Sequence, residues 1–168
     1  MKYRQLTLTA LYAALLCVVS PWVIPVGAVP ITLASLGIFL ISGLTDLRKS
    51  LFATAVYIVL GAIGLPVFSG FQGGAQALLG PTGGFIIGYL VIAGIICILK
   101  DKIGLVLTFC IATFVLYLIG TAWYMLITGA GFAASLTMCV LPFISVDVIK
   151  IIIACVSVKK LGRVLKGA

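Results

Sequence analysis

The sequence predicts an all-α integral membrane bundle of six helices, and three observations carry that prediction. Hydrophobic residues make up 64% of the 168 residues and charged residues 8%, with a mean hydropathy of +1.39; soluble domains carry about 25% charge. Ten of the eleven basic residues fall in four short clusters separated by long uncharged stretches. Each stretch is longer than the roughly 20 apolar residues that cross a bilayer once, and each is broken near its middle by Pro or Gly, so each reads as a pair of helices.

The elements follow in order. Met1 to Arg4 followed by an apolar run has the outline of a signal peptide, but Pro21 and Trp22 stand where a small-residue cleavage site belongs, so the run reads as a retained first helix over about 6–20. Pro21, Pro25 and Pro30 then interrupt the first uncharged stretch, because proline lacks the amide N–H a helix needs. A second helix covers about 31–45. The stretch 50–99 divides into helices over about 49–63 and 83–99, joined by a Gly-rich loop, and 103–158 divides at Thr128-Gly129-Ala130-Gly131 into about 104–127 and 136–158.

The clusters Lys2/Arg4, Arg48/Lys49, Lys100/Lys102 and Lys159/Lys160/Arg163/Lys166 all fall on one side of a six-crossing chain. By the positive-inside rule that side is the cytoplasm. Both termini are then cytoplasmic, and the Gly-rich loop between the third and fourth helices faces out. So apolar a chain forms a single membrane domain, 1–168, whose surroundings are the lipid bilayer. No inverted internal repeat is visible.

Composition also excludes functions. The net charge of +8 is placed at membrane edges rather than in a patch interleaved with aromatics, so no nucleic-acid partner is expected. The five cysteines, Cys17, Cys97, Cys110, Cys139 and Cys155, lie in apolar segments without C-x-x-C spacing, against a zinc site or a disulfide framework. Histidine and glutamate are absent, and the carboxylates are Asp46, Asp101 and Asp147 alone, which removes Ser-His, Cys-His and two-carboxylate catalysis. Gly80-Pro81-Thr82-Gly83-Gly84 is followed by no lysine, so no phosphate loop exists. The chain is read as a non-enzyme without cofactors: a binder, carrier, channel or scaffold.

Asp147 and Lys150 lie three residues apart on one face of the sixth helix. Lys150 stands nine residues before the terminal basic cluster, about 13 Å from the cytoplasmic end, and Asp147 about 18 Å from it. Charges at that depth usually face a protein interior or polar cavity and mark function; the plainer reading is an ion pair that locks two helices. The segment 64–84 is too apolar for a solvated loop, and backbone at membrane depth is tolerated where it is buried or lines a cavity. Its glycines allow a lid whose main chain approaches a ligand, with Gln72 and Gln76 offering amides and Phe68 and Phe71 apolar cover; a compact re-entrant connection is the alternative. Trp123, about 31 Å along the fifth helix from Lys102, is either an interfacial anchor or a stacking platform, and Trp22 reads as an anchor. Ala10-x-x-x-Ala14, like Gly80-x-x-x-Gly84 and Gly84-x-x-x-Gly88, permits close helix approach, by default inside the bundle, with a partner contact as a further hypothesis.

Three runs are shared with a known family. Phe68-Ser69-Gly70-Phe71-Gln72-Gly73-Gly74, then Leu79-Gly80-Pro81-Thr82-Gly83-Gly84-Phe85, then Leu141-Pro142-Phe143-Ile144-Ser145-Val146-Asp147-Val148-Ile149-Lys150 resemble the BioY family, the biotin-binding S components of energy-coupling-factor (ECF) transporters. The resemblance spans essentially the whole chain. It implies high-affinity capture of biotin at the outer side of a prokaryotic cytoplasmic membrane, with uptake through a separate transmembrane T component and two ATPase subunits. It implies further that Asp147 and Lys150 are the polar biotin-site residues, that Gln72 sits where the Gly-rich loop contacts ligand, and that Ala10 and Ala14 meet the T component; Gly73 and Gly74 of the same loop, with Phe68 and Trp123, complete the candidate ligand residues. One departure is clear: after Val29-Pro30-Ile31-Thr32-Leu33 the family commonly has glutamine, whereas this chain has Ala34-Ser35.

Biotin joins an apolar bicycle and valeryl chain to a ureido group and a carboxylate, which asks for apolar walls with a few placed donors and acceptors. Asp147 can accept ureido N–H bonds, and Lys150 can pair with a carboxylate or keep Asp147 charged. Competing readings are an autonomous proton- or ion-coupled carrier in which Asp147 exchanges protons, and a structural scaffold.

Overall fold

A computed structural model describes residues 2–24 and 29–167. Met1, Ala168 and Pro25 to Ala28 of the first Pro-rich break lie outside the described residues, as do the side chains of Lys2, Arg4 and Lys166. In chain order the elements are α1 Lys2–Val19, β1 Val23–Ile24, β2 Ile31–Thr32, α2 Ala34–Leu44, α3 Leu47–Ala62, α4 Ala75–Leu79, α5 Gly83–Ile103, α6 Leu105–Thr128, α7 Phe132–Cys139 and α8 Leu141–Gly167. Three stretches among them are long and apolar enough to cross a membrane, Gly83–Ile103, Leu105–Thr128 and Phe132–Arg163; Gln5–Val19 and Ala34–Leu44 are shorter apolar helices.

Three departures from the sequence expectation have local causes. The second helix begins at Ala34 rather than at residue 31, because Pro30 and the β-branched Ile31 and Thr32 favour extended backbone. Val23 pairs with Thr32 and Ile24 with Ile31 in a short antiparallel hairpin. Thr32 Oγ1 donates to the Ser20 carbonyl (2.8 Å) and accepts from the Ala34 amide (3.1 Å), tying that hairpin to the ends of α1 and α2. Second, the Gly-rich segment contains the short α4, entered through Gly74 at φ +91°, a left-handed conformation that glycine adopts at no steric cost; the Gly74 amide donates back to the Gly61 carbonyl at 2.7 Å. Third, the last predicted helix is two. Pro142 cannot donate to a carbonyl one turn back, and the chain bends at Val140 (φ −126°, ψ −56°) between α7 and α8.

Helix α2 runs through the middle, packed on α1, α3, α5 and α8. Ile38, Phe39 and Ile41 are no more than 2% exposed, and Phe39 stacks on Phe109 of α6 at 4.9 Å. Helices α5 and α6 form the most intimate pair. Gly84 lies against Trp123, a Cβ at Gly88 would come within 2.7 Å of Leu116, and Gly120 receives the ring of Phe85. The small-residue spacing in α5 therefore serves internal packing.

The two ends of the bundle differ. At one, Lys100, Lys159 and Arg163 border a common hollow with Asp46 and Asp101. Lys49 donates to the Asp46 carboxylate at 2.9 Å and thereby holds that carboxyl below its ordinary value. At the opposite end the Pro-rich and Gly-rich segments meet: the Gly70 amide donates to the Pro21 carbonyl at 3.0 Å, and Trp22 packs edge-on to Phe71 at 5.8 Å.

Candidate functional site

Asp147 and Lys150 are one turn apart on α8, so both side chains leave the helix on the face turned towards α2 and α6. Lys150 Nζ lies 2.8 Å from Asp147 Oδ1 and also donates to Ser35 Oγ of α2 at 3.1 Å. Tyr117 of α6 donates its hydroxyl to Asp147 Oδ2 at 2.6 Å. Asp147 is 6% exposed and Lys150 4%. Burying each ion costs about several kcal/mol, and the pair survives only when further hydrogen bonds use the remaining lone pairs and protons. Here each carboxylate oxygen has a donor, and two of the three ammonium protons have acceptors.

The cluster forms one wall of a narrow cavity of about 30 Å³, room for one or two waters. Phe85, Ile86, Leu116, Phe143, Val29 and Pro30 give it apolar walls, with the Phe85 and Phe143 rings near-parallel at 6.4 Å. Hydroxyls of Thr32, Ser35, Ser69, Thr82, Tyr89 and Tyr117 complete the lining. The hollow is mostly apolar, with one net-neutral polar cluster and scattered hydroxyls, a lining whose chemistry suits a small molecule that is hydrocarbon-rich and polar at its ends; in this conformation its walls lie too close together to admit more than water.

The cavity brings Asp147 and Lys150 together and leaves the other sequence-predicted ligand residues out of its lining. Phe68 is 1% exposed, seated against Gly61 and edge-on to Tyr57 at 5.6 Å; its neighbour Ser69 lines the cavity in its place. Gln72 and Gly73 border a separate hollow with Phe71, Gln76 and Ala77. Gly74 is the entry to α4. Trp123 donates its indole N–H to the Gly80 carbonyl at 3.0 Å, so it tethers the segment that carries Thr82 and opens α5. Ala10 and Ala14 are exposed on α1.

Sequence reasoning missed Tyr117 and Ser35. Depth along the helices is the signal that finds them: Tyr117 is 15 residues beyond Lys102 and Ser35 13 residues before Arg48, about 20 Å from the basic edge in both cases, close to the depth expected of Asp147. Ala34, where the resemblance led to an expectation of glutamine, is 1% exposed in the core. The hydroxyl of the next residue reaches the ion pair.

A helical bundle with three apolar membrane-length stretches among the described residues, and with a buried ion pair lining a mostly apolar cavity, has the features of a multi-pass membrane protein. The BioY family model matches residues 1–167, and the chain belongs to the BioY family. It is 36% identical over 160 residues to the biotin transporter BioY2 of Lactococcus lactis subsp. cremoris, covering 92% of this chain and 88% of that protein. It is 35% identical over 161 residues to the probable biotin transporter BioY of Pyrococcus horikoshii, covering 96% and 98%, and 33% identical over 179 residues to the biotin transporter BioY of Thermotoga maritima, covering 95% and 96%. Among solved structures, it is similar to the S-component for biotin from an ECF-type ABC transporter, with a TM-score of 0.88 and 28% identity over 96% of this chain and 92% of that one.

Proposed function

We propose that this chain binds biotin and serves in its uptake as the S component of an ECF-type transporter. The observation that carries the reading is the Asp147–Lys150–Tyr117–Ser35 cluster set into an otherwise apolar cavity, whose walls must part to admit the ligand. The cluster is net neutral, so it suits the neutral ureido ring better than the ligand carboxylate. Asp147 retains lone pairs for ureido N–H donors, and the third Lys150 proton is placed to meet the ureido oxygen. With the cavity walls parted, the bicycle and valeryl chain lie along Phe85, Leu116 and Phe143. Ser69 and Thr82 bring the Gly-rich segment to the ligand, with Phe68, Gln72, Gly73, Gly74 and Trp123 setting the shape and outer face of that segment.

In this reading the chain is one domain that crosses the cytoplasmic membrane of a prokaryote six times, with both termini inside and the loops out, so biotin enters from outside. Ala10 and Ala14 meet the T component, and ATP is hydrolysed by two partner ATPase subunits. A carrier in which Asp147 exchanges protons is less well supported, because both of its oxygens already take donors from Lys150 and Tyr117. Calorimetric titration of the purified chain in lipid nanodiscs tests the reading: saturable one-to-one binding of biotin is expected, and heats no larger than dilution would overturn it.

A further inference from the structure

We propose that Lys100 is a positioning residue for the chamber, acting through α2 from its far end; the proposal rests on the biotin-binding reading. By sequence Lys100 belongs with Lys102 to a basic edge. Its ammonium instead turns inward and donates to three carbonyls at the end of α2, those of Ser42 (2.9 Å), Gly43 (3.3 Å) and Thr45 (2.6 Å). All three of its protons are used.

The need for those bonds comes from how α2 ends. At 11 residues it measures about 16 Å, roughly half the hydrocarbon thickness. It starts at mid-depth and ends at the basic end of the bundle, on the hollow bordered by the ends of α5 and α8 and the start of α6. The last carbonyls of a helix have no partner within it. Thr45 supplies the Ile41 carbonyl with both its amide (2.9 Å) and its hydroxyl (2.7 Å), which leaves Ser42 and Gly43 to Lys100. A cation at that end also opposes the helix dipole. Ser42 Oγ and Ser50 Oγ, 2.6 Å apart, fasten the same end to α3.

At its other end α2 presents Ser35, whose hydroxyl accepts from Lys150. Ser35 and Ser42 are seven residues apart, about 10 Å along a rigid rod. The apolar contacts of α2, such as Phe39 on Phe109, are non-directional and tolerate small axial slides, whereas hydrogen bonds weaken steeply beyond about 3.5 Å. A slide of about 1 Å would break the Ser35–Lys150 bond and let the Lys150 ammonium swing from its place in the chamber. Lys100 thus sets the axial position of α2, and through Ser35 the aim of Lys150.

A double-mutant cycle on biotin affinity separates positioning from general stability. Lys100→Met is expected to weaken biotin binding about tenfold, but less than about twofold when introduced into Ser35→Ala, where the element it positions is already gone. Lys100→Arg, which keeps donors over the same carbonyls, should recover most of the affinity. The proposal is overturned if Lys100→Met lowers only the melting temperature and leaves Kd unchanged, or if its full penalty persists in Ser35→Ala. Should Lys100→Met not fold, Lys100→Gln takes its place in the same cycle, with the same results supporting or overturning the proposal. Absence of biotin binding by the unmodified chain would overturn the functional reading itself, an outcome distinct from either of these.

Discussion

Replacing Asp147 by Asn is the sharpest perturbation of the chamber, because it keeps shape and removes one charge. Lys150, 4% exposed, would keep Ser35 and an amide oxygen as acceptors but lose the carboxylate at 2.8 Å. Breaking a buried pair by removing one partner costs about 3–5 kcal/mol; the amide oxygen and the polar lining put the stability loss near the lower value. Binding loses a charged acceptor to the ligand and a fixed ammonium together, about 3 kcal/mol within the range for buried charged contacts, which is roughly two orders of magnitude in Kd. The second variant, Asp147→Asn with Lys150→Met, removes both charges. It should regain most of the lost thermal stability, since an apolar substitute for a buried pair is often neutral, yet should not regain affinity. Thermal denaturation and biotin titration on the same samples read both quantities. Affinity within threefold of wild type in Asp147→Asn, or recovered in the double variant, would refute the reasoning and make the pair a packing element only.

Three further outcomes are expected. Tyr117→Phe deletes the 2.6 Å bond to Asp147 Oδ2 and should weaken biotin binding by about 1.5–3 kcal/mol, the range for a bond to a charged group, in the same titration. Trp123→Phe removes the tether to Gly80 at a cost of about 1 kcal/mol, visible as faster amide exchange at Gly83 to Ile86 with Kd changed less than in Tyr117→Phe. Ala10→Trp or Ala14→Trp on the exposed face of α1 should abolish co-purification with the T component while leaving biotin affinity intact; retained co-purification would exclude that face as the contact.

Tyr117 shows where legibility in the sequence stopped. Its run, Phe114-Val115-Leu116-Tyr117, looks like any apolar helix, and only its facing α8 makes the hydroxyl a partner for Asp147. Trp123 reads from sequence as either anchor or platform, and the tether it makes was not legible, because its indole N–H finds a carbonyl 43 residues back in the chain. The Gly-rich segment was legible as a break between helices, but which of its residues faces the cavity was not: Phe68 turns into the core and Ser69 into the cavity. Such alternation depends on local backbone direction, for which a segment without periodicity leaves no trace.

Charge placement and apolar length are one-dimensional properties, and they determined from sequence the helical membrane class and the isolated Asp147–Lys150 pair, because lipid penalises charge wherever it falls along the chain. What surrounds that pair was decided only by tertiary structure. The shortness of α2, the arrival of Ser35 and Tyr117 from other helices, and the turning of Lys100 inward all arise from packing between segments distant in sequence. Hydrogen bonds of this kind are set by three-dimensional proximity, which no spacing rule encodes.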